Sequence, residues 1–128
     1  MIDHVSVPVR DLNVSGAFYH RILTPLGYVR LVERPQTIGF GKAYPELWLN
    51  LRTAQSAQTL STGHHLALRA HSVAAVDRFH AAALAAGGAC DGPPGPRQGA
   101  MTAYYGAFIR DPDGNRIEAL TFGSDTKP

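Results

Sequence analysis

Residues 2–9 read I-D-H-V-S-V-P-V, and residues 64–70 read H-H-L-A-L-R-A. Both stretches alternate. Val5, Val7 and Val9 share one face of the first, opposite His4, Ser6 and Pro8. Leu66, Leu68 and Ala70 share one face of the second, opposite His65, Ala67 and Arg69. A two-residue period is the mark of a half-buried strand. His4 and His65 stand at the same place in the two strands, 61 positions apart. The same offset relates Asp11 to Ser72, Phe18 to Phe79, Leu23 to Leu84 and Gly27 to Gly88. These are helix-cap, helix-core and helix-stop residues, so the chain carries an internal repeat.

Working outward, Asp11 or Asn13 caps a first helix whose apolar stripe is Val14, Ala17, Phe18 and Ile22; Pro25 and Gly27 end it. Strands are expected over residues 28–33, 37–41 and 47–52, with a turn at Pro35. In the last of these Leu47, Leu49 and Leu51 oppose Trp48, Asn50 and Arg52. Residues 54–63 are small and polar and read as a linker. Ser72 caps an alanine-rich helix over residues 73–86, with Val76, Phe79, Ala83 and Leu84 on its stripe and Gly87-Gly88 at its end. Residues 91–99 hold three prolines and three glycines and read as a loop. Strands over residues 102–110 and 115–122 flank Asp-Pro-Asp-Gly, a turn sequence. The order is β-α-β-β-β twice. The fold expected is α+β, with two βαβββ modules forming a cupped, mostly antiparallel sheet. Module one is residues 1–53, module two residues 64–122, and residues 123–128 form a tail.

Composition bounds the function. Across 128 residues, 45% are hydrophobic and 17% charged, enough to bury a core. The net charge of +2 is too small to argue for nucleic acid or a membrane surface. No apolar run spans a bilayer and no signal-peptide layout opens the chain, so a cytoplasmic protein is expected. One cysteine, Cys90, excludes an internal disulfide. The turn D-P-D-G-N lacks the later ligands of a calcium loop.

If each helix covers the aliphatic face of its sheet, His4, Ser6, Trp48, Asn50, His65 and Ala67 lie on the uncovered face. Glu118 joins them, because Ile117 and Ala119 look helix-facing. Two histidines and a carboxylate can hold a divalent metal with open positions. Each of the three also has a plain reading as a solvated or packed side chain. The repeat is what groups them.

The stretches I-D-H-V-S-V-P-V-R-D-L, G-A-F-Y-H-R-I-L, E-L-W-L-N-L, G-H-H-L-A-L and A-F-I-R-D-P-D-G-N-R-I-E-A-L resemble the vicinal oxygen chelate superfamily. It holds glyoxalase I, bleomycin-resistance proteins, fosfomycin-resistance thiol transferases and extradiol dioxygenases. The resemblance implies His4, His65 and Glu118 as metal ligands and Fe, Mn, Zn or Ni as the ion. It implies a small oxygen-rich substrate handled by lyase, isomerase or dioxygenase chemistry. A non-catalytic, drug-sequestering protein of the same fold is the other expectation. The resemblance also implies a homodimer, with modules paired in one chain or exchanged so that His4 meets the partner's ligands. Departures are visible. Asn50 stands where glyoxalase I would need a further ligand. Ser6 replaces the threonine of the thiol transferases and Phe108 their tyrosine, while Trp48 matches them. Ser6, Trp48, Asn50, Arg97, Tyr104 and Phe108 are expected around the substrate, with Tyr104 or Tyr105 as an acid/base group, and residues 91–99 as a covering loop.

Overall fold

A computed structural model describes residues 1–53 and 63–123. Nearly all of the expected linker lies outside the described residues, as does the tail beyond Gly123. Module one contains β1 (Val5–Val9), α1 (Leu12–Leu23), β2 (Val29–Arg34), β3 (Thr37–Gly41) and β4 (Pro45–Leu51). Module two contains β5 (Leu66–Arg69), α2 (Val73–Ala85), β6 (Ala89–Gln98), β7 (Ala103–Arg110) and β8 (Arg116–Thr121). Each module forms one four-stranded sheet, ordered β1-β4-β3-β2 and β5-β8-β7-β6. The first and last strands of each module pair in parallel and the other pairings are antiparallel. The repeat seen in the residues is therefore a repeat of topology.

The caps form as the side chains dictate. Asp11 accepts from the amides of Asn13 and Val14, and Ser72 from that of Ala75. The helix stripes differ from those expected. In α1 the buried face is Phe18, Tyr19, Ile22 and Leu23, while Val14 is half exposed and Ala17 is exposed. In α2 Leu84 is 47% exposed and His80 only 8%. An alanine-rich helix offers little contrast around its circumference, so packing against β6 and β7 decides which face turns inward.

Residues 91–99 are not a loop. All but the last belong to β6, which pairs with β7 through two register shifts, between Cys90 and Gly92 and between Gly92 and Gly95. β6 lies at the sheet edge. An edge strand needs donors on one side only, so prolines are tolerated there and glycines accommodate the bulges. The segment frames the sheet and is no flexible cover.

Both modules share one core, with Phe18, Ile22, Phe79 and Ala83 of the helices among Val7, Phe40, Leu47, Leu49, Ile109, Ile117 and Ala119. The β7–β8 turn fastens them together. Asp111 Oδ1 accepts from the amides of Asp113 and Asn115. Its Oδ2 takes the Tyr19 hydroxyl at 2.6 Å and Asn115 Nδ2 at 2.7 Å. Asp113 binds Arg10 and the Ser15 hydroxyl, and Asn115 Nδ2 also donates to the Pro8 carbonyl. Burial pushes the Asp111 carboxyl up, and these hydrogen bonds oppose it.

Two outcomes follow. A Cβ on Gly88 would lie 2.7 Å from Phe18 Cε2 and 2.8 Å from the Arg110 carbonyl. Gly88→Ala is expected to lose roughly 1–3 kcal/mol in urea unfolding. His80 Nε2 lies 3.2 Å from Cys90 Sγ, and burial lowers the His80 pKa below 6.5 despite the opposing charge of Asp77. The unfolded chain then binds this proton more readily than the native one. Stability from this group is whole above pH 6.5 and is lost as pH falls through the lowered native value. His80→Asn should flatten that part of the stability–pH curve.

Candidate functional site

The faces not covered by α1 and α2 carry the polar side chains. In module two, parallel pairing sets Ala67 beside Glu118, and antiparallel pairing sets Phe108 on the other side of Glu118. His65 immediately precedes β5, and its ring meets Phe108 edge-on at 5.6 Å. His65 Nε2 lies 3.0 Å from Glu118 Oε2. The Glu118 side chain is 5% exposed, the His65 side chain 44%. A carboxylate buried this far must be hydrogen-bonded or paired. Oε2 has His65, whereas Oε1 is buried and has no hydrogen bond of good geometry.

Tyr104 borders this carboxylate. Its phenol is pushed above the usual 10.0, first by burial and then by the charge of Glu118 and a hydrogen bond toward it; the nearby Arg97 opposes this. At neutral pH Tyr104 therefore keeps its proton. Tyr105 points elsewhere and donates to Asp77 of α2 at 2.8 Å. Alternation along β7 thus separates the two tyrosines. Arg97 is cross-strand from Tyr104, stacks on the Phe108 ring at 5.1 Å, and donates to the Pro93 carbonyl. It buttresses the site wall from β6.

In module one, Ser6 pairs with Trp48 and Pro8 with Asn50. The repeat maps Ser6 onto Ala67, whose partner is Glu118. Trp48 is therefore the counterpart of Glu118, and Asn50 is that of Leu120. The counterpart of Glu118 is thus Trp48 and not Asn50, and module one offers an indole where module two offers a carboxylate. β4 also begins at Pro45, and Glu46 lies at a register shift between β3 and β4, where its carboxylate accepts from the Lys42 amide. A strand started at Leu47 leaves Glu46 out, and the register shift interrupts the alternation there.

His4 precedes β1 and is exposed, with Nδ1 2.6 Å from Asp3 Oδ1. His4 and His65 border one open pocket of about 330 Å³, with Glu46 and Tyr28. Burial and then Glu46 raise the Tyr28 pKa. Glu118 borders a different pocket. Among the described residues, no three His, Cys, Asp or Glu side chains come together as a metal site. A single chain thus joins His65 to Glu118 and leaves His4 outside that pair. No described helix is long and apolar enough to cross a membrane.

Residues 1–119 match the model of the Glyoxalase/Bleomycin resistance protein/Dioxygenase superfamily. The chain belongs to that superfamily. The glyoxalase/bleomycin resistance protein of Albidiferax ferrireducens T118 is 37% identical, with 94% of this chain and 98% of that one covered and a TM-score of 0.84. A hypothetical protein of S. aureus is 25% identical over 95% of each chain, TM-score 0.71. The genomically encoded fosfomycin resistance protein of Listeria monocytogenes shares the fold at 20% identity, covering 100% of this chain and 98% of that one, TM-score 0.70. No curated protein matches the chain. In this superfamily member Glu118→Gln removes the charge beside Tyr104. The Tyr104 pKa should fall toward 10.0 while burial keeps it above, read by NMR titration of the tyrosine ring carbons.

Proposed function

We propose that the protein is a divalent-metal-dependent enzyme of the vicinal oxygen chelate type acting on a small oxygen-rich molecule. The observation that carries this reading is the buried Glu118 carboxylate. Oε2 is tied to His65, and Oε1 has no hydrogen bond of good geometry. A cation satisfies such an oxygen better than water can. The donor set also fits. Asp3 holds His4 Nδ1 and leaves Nε2 as the free nitrogen, the arrangement by which a carboxylate orients a ligating imidazole.

His65 and Glu118 would hold the ion with His4. Because His4 does not join that pair within one chain, we assign it to the second copy of a homodimer with exchanged modules. Fe, Mn, Zn and Ni all suit two imidazoles and a carboxylate. Bound there, such an ion supplies Lewis acidity and open positions for two neighbouring substrate oxygens. Tyr104, protonated at Oη, stands beside Glu118 at the place the substrate would occupy. Ser6, Trp48 and Asn50 approach from the opposite module, while Phe108 and Arg97 fix the wall behind His65. Trp48 at the counterpart of Glu118 removes the carboxylate that a base-driven isomerisation would use. That favours lyase or dioxygenase chemistry. A cytoplasmic location is part of the same proposal.

The second reading is a non-catalytic binder. The largely apolar pocket bordered by Tyr104, Leu120 and Phe122 favours it. Metal content separates the two. Protein purified without an affinity tag and reconstituted with Mn(II), Zn(II), Ni(II) or anaerobic Fe(II) should hold close to one ion per chain. His4→Ala and Glu118→Ala should each lose it. Mixing the two variants should restore metal to one of the two sites in each mixed dimer, because one pair of faces is then intact. Wild type that stays empty after reconstitution favours the binder, and mixing that restores nothing places all three ligands in one chain.

A further inference from the structure

We propose that the pocket beside Glu118 receives an apolar, ring-sized part of the substrate; this rests on the site proposed above and names the class of molecule it takes. The pocket has a volume of about 330 Å³, and its walls include Met101, Thr102, Tyr104, Leu120 and Phe122, with Glu118 at one end. Its polar groups are the Glu118 carboxylate, the Tyr104 hydroxyl and the Thr102 hydroxyl. The remaining wall is hydrocarbon, aromatic ring and thioether.

Its large apolar side chains are exposed within one chain. Phe122 is 42% exposed and Met101 is 95% exposed. Phe122 is nevertheless held in place. The Arg69 guanidinium lies 4.4 Å from the Phe122 ring centroid, and the Tyr104 ring lies 6.1 Å away, tilted by 53°. The strand positions explain the grouping. Arg69 continues the His65–Ala67 face of β5, and Phe122 follows β8 on the Glu118–Leu120 face. A tight β6–β7 turn, with the Gly99 amide bonded to the Thr102 carbonyl, brings Met101 to the opposite rim. Gly106 lets Tyr104 and Glu118 lie close against β7, since a Cβ there would lie 2.8 Å from the Tyr104 ring and 3.2 Å from Glu118 Oε1. Glu118 and the apolar hollow are thus adjacent. A molecule held at the ion proposed on Glu118 and also filling the hollow has an oxygen-bearing head and an apolar ring or branched tail. A small hydrophilic acid leaves Phe122 and Leu120 wet. Covering such surface is favourable in proportion to its area.

Two hydroxamates test this, because both present the same pair of neighbouring oxygens and differ only in a methyl against a phenyl group. On the Zn(II)-loaded dimer, benzohydroxamate should bind roughly 10-fold or more tighter than acetohydroxamate by calorimetry. Phe122→Ala and Met101→Ser change exposed side chains and should fold, and each should bring the ratio toward parity. Equal affinity in wild type overturns the proposal, as does a preference that survives in both variants. If neither hydroxamate binds, the metal site fails and the pocket is still decided on metal-free protein. There, benzyl alcohol should shift the NMR signal of the Met101 methyl and leave that of Met1, the only other methionine. An unmoved Met101 signal overturns the pocket independently of any metal.

Discussion

Asp111 is the residue on which the architecture turns. The residue is 4% exposed, at a turn between strands of module two, and its carboxylate accepts four hydrogen bonds. Three of these shape its own turn and one comes from Tyr19 of module one. Desolvating a carboxylate is costly, and only a full shell of donors offsets that cost. The shell is completed when Tyr19 of α1 lies against the turn. Asp113 and Asn115 repeat the coupling through Arg10, Ser15 and the Pro8 carbonyl. The two modules are in this way set against each other at the helix side, around a single core.

That packing has a chemical consequence. With the helices turned inward, the opposite sheet faces carry the polar residues and stay uncovered within one chain. Module two presents a buried carboxylate with a free oxygen, an imidazole, a protonated phenol and an apolar hollow. Module one presents a hydroxyl, an indole and an amide, with His4 at its margin. The two faces are unlike, although the modules that bear them are copies in topology. The division of labour arises at one register position, where Trp48 stands opposite Ser6 and Glu118 opposite Ala67.

Much of this was legible in the residues. Alternation marked β1, β4 and β5, because one buried face enforces a period of two, and the Asp-Pro-Asp-Gly turn marked β7 and β8 on either side of it. Asp11 and Ser72 marked both helix starts, since their side chains satisfy amides the helix cannot. The pairing of His65 with Glu118 could be read from the same alternation. β6 was hidden because its prolines and bulges are permitted only by its edge position, which is a property of the sheet. The burial of His80 in place of Leu84 depends on what α2 packs against. Trp48 and Asn50 share a face, so alternation could not say which of them opposes Ser6; only the register does. Where His4 finds its partners is a question of quaternary structure, which the order of residues along one chain does not encode.

The central claim is that residues from two chains converge on the free oxygen of Glu118. Crystals grown with Zn(II) and measured at the zinc absorption edge test it most directly. The account predicts an anomalous peak within about 2.0–2.2 Å of His65 and Glu118 of one subunit and of His4 of another. No peak at Glu118, or a peak there that no second chain's histidine reaches, would contradict it.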